Sequence, residues 1–412
     1  MADSGADFGG ELDAFRDEAR TWLEANFPKS LAADPDAVTA MAMGGGPTPS
    51  EDFKLWRKRI GEKGWGTPTW PKQYGGGGLT AAEARVLAQE MARIGARNPI
   101  VGMGPGMFGA TLLEYGNEEQ KKKHFPPIVR GELRWCQGFS EPGAGSDLAS
   151  LSTKAEDKGD HFLVNGQKIW TSGAQYADWC FCLVRTDTTK KHDGISFLLI
   201  DMHSPGVEAR PIKMISGASG QCETFFTDVK VPKENLMGPL NGGWAIAKRL
   251  LQHERNGMGN RLGGGDPSVK EANGVAELAK KYVGVDEHGR IDDGDLRTRI
   301  TQYRMEEQAF RQTVRRAAAE AKGNSSPSAA TSIMKNVSMK LMQDRSELTV
   351  EIMGSRGLGW DGEDFEPEEL ATVRGWLAGK AGSIYGGSQE VQNNVISKRI
   401  LHLPELTGAS GS

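Results

Sequence analysis

Apolar positions in the first third of this 412-residue chain recur at helical spacing. Leu12, Phe15, Ala19, Trp22, Leu23 and Phe27 form one stripe, which Pro28 ends. Residues 52–63 and 80–95 predict two further helices. The second opens on Thr80-Ala81-Ala82-Glu83, a capping-box pattern in which hydroxyl and carboxylate satisfy free amides reciprocally. Gly44-Gly45-Gly46-Pro47 and Gly75-Gly76-Gly77-Gly78 are flexible pieces between helices. From about residue 136 the pattern changes to short aromatic or β-branched runs between turns: 161–164, 179–184, 195–200 and 224–226. Asn165-Gly166, between two of them, reads as a hairpin turn. After Gly242-Gly243 long helical patterns return, broken by an acidic, glycine-rich insertion around Gly284 to Asp295 and a linker at residues 323–327. The order helix, sheet, helix predicts an α+β multi-domain chain. Its expected parts are a helical N-terminal domain at 1–135, a β domain at 136–240, a helical C-terminal domain at 241–405 and a tail at 406–412.

Composition changes this picture little. With 38% hydrophobic and 25% charged residues the chain reads as globular, with length for about three domains. A net charge of -4 supplies no basic field for nucleic acid. The run Lys121-Lys122-Lys123-His124 follows Asn117-Glu118-Glu119-Gln120, an N-cap with acids in the first turn, and reads as an exposed helix face. Four scattered cysteines do not make a disulfide framework, and Cys180-Phe181-Cys182 lacks the spacing of a redox or zinc pair. The histidines stand singly, so no metal is expected. The polar start Met1-Ala2-Asp3-Ser4-Gly5 does not resemble a signal peptide, and no apolar run approaches the roughly 20 residues of a membrane helix. The expectation is a cytoplasmic protein without membrane insertion.

Candidate chemistry begins at Ser140-Glu141-Pro142-Gly143-Ala144-Gly145-Ser146-Asp147. Small residues let backbone amides approach an anion, Pro142 stiffens the entry, and two serines add hydroxyls. An ordinary surface turn is the competing reading. On the helix starting near Trp244, steps of about 100° place Trp244, Ala247, Leu251 and Met258 on one face, with Glu254 and Arg255 in the same apolar sector. Ionisable groups there are costly unless paired or functional. A structural ion pair is one reading. Gly257 and Gly259, which leave space beside the carboxylate, suggest a pocket as the other.

Three ordered motifs carry a resemblance: residues 135–147, then Gln167-Lys168-Ile169-Trp170-Thr171-Ser172-Gly173, then Tyr385-Gly386-Gly387-Ser388-Gln389-Glu390-Val391-Gln392. In order and spacing the chain resembles the acyl-CoA dehydrogenase family over nearly its whole length. That resemblance implies a helical N-terminal domain, a middle β-barrel, a C-terminal four-helix bundle, and FAD held between barrel and bundle in a homotetramer or dimer of dimers. It implies flavin contacts from Gln137, Phe139, Ser140, Gly145, Ser146, Trp170, Thr171 and Ser172, although core packing is the commoner role of a lone Trp. By a looser match Glu351, Gly354 and Ser355 join the cofactor set; Ser388 and Glu390, just past the glycine pair, are the better candidates for contacting it.

The implied reaction is α,β-dehydrogenation of an acyl-CoA to the trans-2-enoyl-CoA in fatty acid and lipid metabolism. A base takes the α-proton, FAD N5 accepts the β-hydride, and electrons pass to an electron-transferring flavoprotein. Many members carry the base directly after the motif tyrosine, where this chain has Gly386. Long-chain and isovaleryl-type members carry it on the first bundle helix, which Gln252-His253-Glu254-Arg255 matches, making Glu254 the candidate base. Gly386 would keep a backbone N–H for the thioester oxygen, and Ser146, Arg255, Tyr385 and Gly387 would line the substrate. The family's cross-subunit Arg and Phe-Gly pair is not found. Its place is taken by Lys280-Lys281-Tyr282-Val283-Gly284 and the insertion. That absence keeps an accessory subunit in a mixed tetramer as an alternative; an oxygen-using acyl-CoA oxidase is another, since the sequence does not report how well O₂ reaches a flavin. Gly257, Gly259 and Gly386 suggest a roomy pocket for long, branched or ring-bearing acyl chains, against a competing reading of close helix packing.

Overall fold

The computed structural model describes residues 8–43, 48–252, 274–323 and 328–404. It divides into two compact units, one of residues 1–212 with 219–254 and one of residues 213–218 with 255–412.

In the first unit the apolar stripe of α1 (Phe8–Asn26) buries Phe15, Ala19, Leu23 and Phe27. They share a core with Phe53, Trp56 and Ile60 of α3 (Glu51–Glu62) and Val86, Leu87 and Met91 of α4 (Ala81–Arg93); α2 (Pro35–Met43) lies between in sequence and adds Val38 and Met41. The capping box at Thr80 and Glu83 forms with both bonds present. Glu90, 3% exposed, faces Arg16, Arg20 and Arg93; burial alone would raise its pKa, but these guanidinium bonds hold it at about 2. After α5 (Gly109–Tyr115), α6 (Glu118–Val129) starts at the expected Asn117 cap, and Lys121 and Lys122 pair with Glu118 and Glu119 on its solvent side.

The seven strands are β1 (Trp135–Gly138), β2 (Lys154–Asp157), β3 (His161–Ser172), β4 (Trp179–Arg185), β5 (Ile195–Asp201), β6 (Val207–Ile212) and β7 (Gln221–Pro232). Their order is β1-β4-β2-β3-β7-β6, with β5 added on β4. The expected barrel is a curled, open half-barrel: no ladder joins β6 to β1 among the described residues. One face packs Trp135, Phe139, Phe181, Phe197 and Leu199 against Trp70, Phe108, Leu112 and Phe125 of the helical part.

Asn165-Gly166 is not a hairpin turn, correcting the expectation. β3 runs straight through it: Val164 faces Val229 and Gly166 faces Phe226, so the extra residue lies in β7, at Thr227-Asp228, where Asp228 adopts φ 50°. The Asn165 side chain bonds Asp228 from both ends of its amide, which replaces the turn by a cross-strand link.

His124 belongs to the core instead of the exposed run around it. It is 1% exposed, sits edge-on to Trp135 and Trp179, and its Nε2 has no partner. Burial, helped by the Lys123 charge, lowers its pKa to about 4. The unfolded chain therefore takes this proton at higher pH than the folded one, and stability falls as pH drops from about 6.5 toward 4. Wild-type protein should lose about 1 kcal/mol of unfolding free energy between roughly pH 7 and 5.5 through this group. In His124→Phe, urea titrations should show that loss removed.

In the first unit α7 follows at 243–252, with Ile246, Ala247 and Leu250 buried. The second unit gathers α8 (Val275–Tyr282), α9 (Gly294–Gly323), α11 (Pro367–Gly379) and α12 (Gln389–Val395) around α10 (Thr331–Ile352). Val275, Ala279, Leu296, Ile300, Leu348 and Ile352 form one core, and Phe310, Val314, Met334 and Leu341 another. The insertion at 284–295 folds as a tight turn, Asp286 accepting from the His288 and Arg290 amides. No helix among the described residues is long and apolar enough to cross a membrane.

Candidate functional site

Two of the three motifs meet in the first unit. β1 leaves the sheet at Gly138, which touches Cys180 and Cys182 so closely that a Cβ would stand 2.8 Å from a sulfur. The chain then makes a two-residue turn, Glu141 and Ala144 exchanging both backbone bonds across Pro142-Gly143. Beside it, the Ile169 amide donates to the Ser140 carbonyl at 2.9 Å, joining the 137–146 loop to the end of β3.

Beneath this junction lies a buried ion pair. Lys168, 0% exposed, donates from Nζ to Glu141 Oε1 at 2.8 Å and to the Phe139 carbonyl at 3.1 Å. The same carboxylate accepts from the Ser152 amide and hydroxyl and from the Thr153 amide. Burial pushes the Glu141 carboxyl up, but Lys168 and these donors outweigh it and hold it at about 2. Arg185 extends the scaffold, donating to the carbonyls of Ala149, Leu151, Lys190 and Lys191.

Above the pair the surface is open. Added Cβ atoms at Gly143 and Gly145 meet nothing within 4 Å. Ser146 is exposed, while Gln137 and Ser140 are half-buried. Trp170 sits where the β3–β7 register slips between Lys168 and Thr171; its φ of 61° is a left-handed conformation costly for a bulky residue, and its side chain is 52% exposed. It therefore does not pack in the core. Thr171 is buried with its hydroxyl unpartnered, and Ser172 donates to Gln221 at 3.0 Å. The Phe139 ring packs edge-on to Phe181 and Phe197, so its side chain belongs to the core and its carbonyl to Lys168.

The third motif lies in the second unit. Gly386 and Gly387 have φ of 65° and 90°, Tyr385 is exposed, and Ser388 caps α12 by accepting from Val391 N. Glu390 is exposed in the first turn of α12. Both Glu351 oxygens accept from Arg299; Gly354, at φ 56°, and Ser355 are exposed beyond α10. Glu254 and Arg255, with Gly257 and Gly259, lie outside the described residues.

The chain matches the acyl-CoA dehydrogenase N-terminal domain over residues 10–132, the middle domain over 136–229 and the C-terminal domain over 241–401. It belongs to the acyl-CoA dehydrogenase family. Acyl-CoA dehydrogenase IpdE1 of Mycolicibacterium smegmatis is 34% identical, the match covering 96% of this chain and 98% of that one. Among solved structures, the Tcur3481-Tcur3483 steroid ACAD aligns with a TM-score of 0.73 at 28% identity, over 96% of this chain and 98% of that chain. The ChsE4-ChsE5 complex from Mycobacterium tuberculosis aligns at 0.72 and 28% identity, over 98% and 100%. The chain is thus an acyl-CoA dehydrogenase, an oxidoreductase of a flavoprotein family.

The residues present fit such a cofactor. An exposed indole in a strained backbone, glycines facing open space and half-buried polar groups suit a flat heteroaromatic ring with a polar edge and a phosphate tail. The Lys168–Glu141 pair was not anticipated, although a signal existed. Phe162, Val164, Gly166 and Lys168 alternate onto the inward face of β3, and an inward lysine requires a carboxylate.

Proposed function

We propose that this chain binds FAD through the 137–146 loop and Trp170-Thr171-Ser172, and that it dehydrogenates an acyl-CoA between its α and β carbons. Bound FAD supplies the hydride acceptor. Glu254 takes the α-proton. It stands four residues beyond Leu250, and the residue after Tyr385 is a glycine that offers no carboxylate. The Gly386 amide donates to the thioester oxygen, where negative charge grows as the proton leaves. Arg255, Tyr385 and Gly387 line the acyl group. The observation that carries this reading is the bonded junction of loop and strand beneath the exposed Trp170.

The substrate proposed is a bulky, ring-bearing acyl-CoA. Glycines at 257, 259 and 386 support it, as does likeness to a structure named a steroid ACAD. Flavin bleaching should be fast with ring-bearing acyl-CoAs and slow with butyryl-CoA. Bleaching by butyryl-CoA alone would overturn this assignment.

A second reading concerns assembly: the chain works beside a different dehydrogenase chain. The missing Arg and Phe-Gly pair favours it, and so do two-chain structures among its likenesses. Expressed alone, the chain should hold little flavin; co-expressed with a second dehydrogenase chain of the same genome, it should become yellow. A yellow, active homotetramer would restore the simpler assembly. Electron transfer to an electron-transferring flavoprotein, and not to oxygen, is tested by the absence of hydrogen peroxide during turnover.

A further inference from the structure

The glycine pair before α12 is held from two sides. Gln392 Nε2 donates to the Gly386 carbonyl at 3.2 Å, and Lys335 Nζ, from α10, donates to the Gly387 carbonyl at 2.6 Å. A trans peptide carries its C=O and N–H on opposite edges. Tying the Gly386 oxygen to Gln392 therefore turns the Gly387 N–H the other way, and tying the Gly387 oxygen to Lys335 does the same for the Ser388 N–H. Neither glycine amide donates to a backbone carbonyl among the described residues. A Cβ on Gly386 would meet nothing within 4 Å, whereas one on Gly387 would stand 2.6 Å from Gln392 Nε2. One side of the turn is thus packed and the other open.

Lysine is a costly way to hold a carbonyl. Half-buried Lys335 has its pKa lowered by burial, against a smaller opposing pull from Glu390. What it supplies in return is a charge-assisted bond, stronger than a neutral donor would make.

We propose that Lys335 is a positioning residue for dehydrogenation: with Gln392 it clamps the Gly386–Gly387 carbonyls so that the amides of the turn face the thioester oxygen in a fixed orientation. This rests on the reading of the Gly386–Gly387 turn as the backbone donor at that oxygen: the Gly386 N–H shares its peptide with the Tyr385 carbonyl, so the clamp orients the Gly387 and Ser388 amides directly and acts on the Gly386 amide through the anchored planes that follow it. Without the clamp the peptide planes can rotate, and the loss falls on the charged transition state more than on substrate binding. Losing an oxyanion donor outright typically costs about 10²–10³-fold in kcat, so a clamp acting through one should account for roughly 10–100-fold.

The test uses the FAD-loaded enzyme, with its partner chain if one is required, in wild-type, Lys335→Met, Lys335→Arg and Gln392→Leu forms. Lys335→Met should slow flavin reduction at saturating acyl-CoA about 10–100-fold, with FAD content and half-saturating substrate within about twofold of wild type, and Lys335→Arg should recover most of the rate. A bound 3-thiaacyl-CoA, whose α-proton the carbonyl donors acidify, should ionise about 1 pH unit higher in Lys335→Met. A wild-type reduction rate, an unshifted ionisation, or losses confined to FAD content and substrate affinity would overturn the clamp. If Lys335→Met does not fold, Gln392→Leu decides by the same readouts. Failure of the wild-type enzyme to be bleached by any acyl-CoA would strike the underlying reading instead.

Discussion

Glu254→Gln should leave FAD bound, with its visible spectrum unchanged, and slow bleaching by acyl-CoA about 10⁴-fold, the upper end for loss of a general base. Glutamine has nearly the shape of glutamate and cannot accept the proton. The α-proton is weakly acidic, so hydride loss from the neighbouring carbon has no easy course until a base acts. Where other family members place a carboxylate after the motif tyrosine, this chain has Gly386, so no neighbour there can substitute. Stopped-flow absorbance of the flavin band measures the rate, and the spectrum before mixing measures the bound FAD. Bleaching of Glu254→Gln near the wild-type rate would remove this residue from the role.

The helix–sheet–helix order was legible because its signals are local. The Phe15-to-Phe27 stripe, the Thr80 capping box and the Asn117 cap each depend on neighbours a few residues away, and each appears in the fold. The sheet was less legible where its strands are short or polar. β2, Lys-Ala-Glu-Asp, and β6, Val-Glu-Ala-Arg-Pro-Ile, carry too few apolar positions to stand out and are held by their partners β3 and β7. Asn165-Gly166 misled for a related reason. The dipeptide suits any site needing glycine's backbone freedom, and here it continues within β3, the Asn165 amide bonded to Asp228 in the bulge of β7. His124 sat in a basic run whose neighbours are exposed, and only the helix phase relative to Trp135 and Trp179 buries it.

At the candidate site, motif order brought the 137–146 loop and Trp170-Thr171-Ser172 to one place. It did not reveal what holds them there. Lys168 and Glu141 are 27 residues apart, and Lys335 and Gly387 are 52 apart; neither spacing is periodic in any element. Such long-range polar contacts become visible only once the topology is known. Both are a lysine donating to a main-chain carbonyl oxygen at a turn of the candidate site.

That contact makes Lys168→Met the most damaging single change expected in the scaffold. Lys168 is wholly enclosed, and removing its charge leaves the Glu141 carboxylate buried with neutral donors only. Breaking a buried pair by deleting one partner costs about 3–5 kcal/mol, because the surviving charge stays desolvated. The Phe139 carbonyl loses its donor as well, so the loop should loosen and FAD affinity should fall together with stability. Lys168→Met/Glu141→Gln should regain a large part of the stability, since a neutral amide oxygen can still accept from Ser152 and Thr153. Acid separates the forms further. The folded carboxyl titrates near 2 and the unfolded one near 4.5, so its stabilisation is complete above about pH 4.5 and is lost as pH falls toward 2. Urea midpoints recorded from neutral pH downward should show this loss in wild type and not in the double variant. Equal midpoints for wild type and Lys168→Met at neutral pH would mean that the pair does not hold the loop.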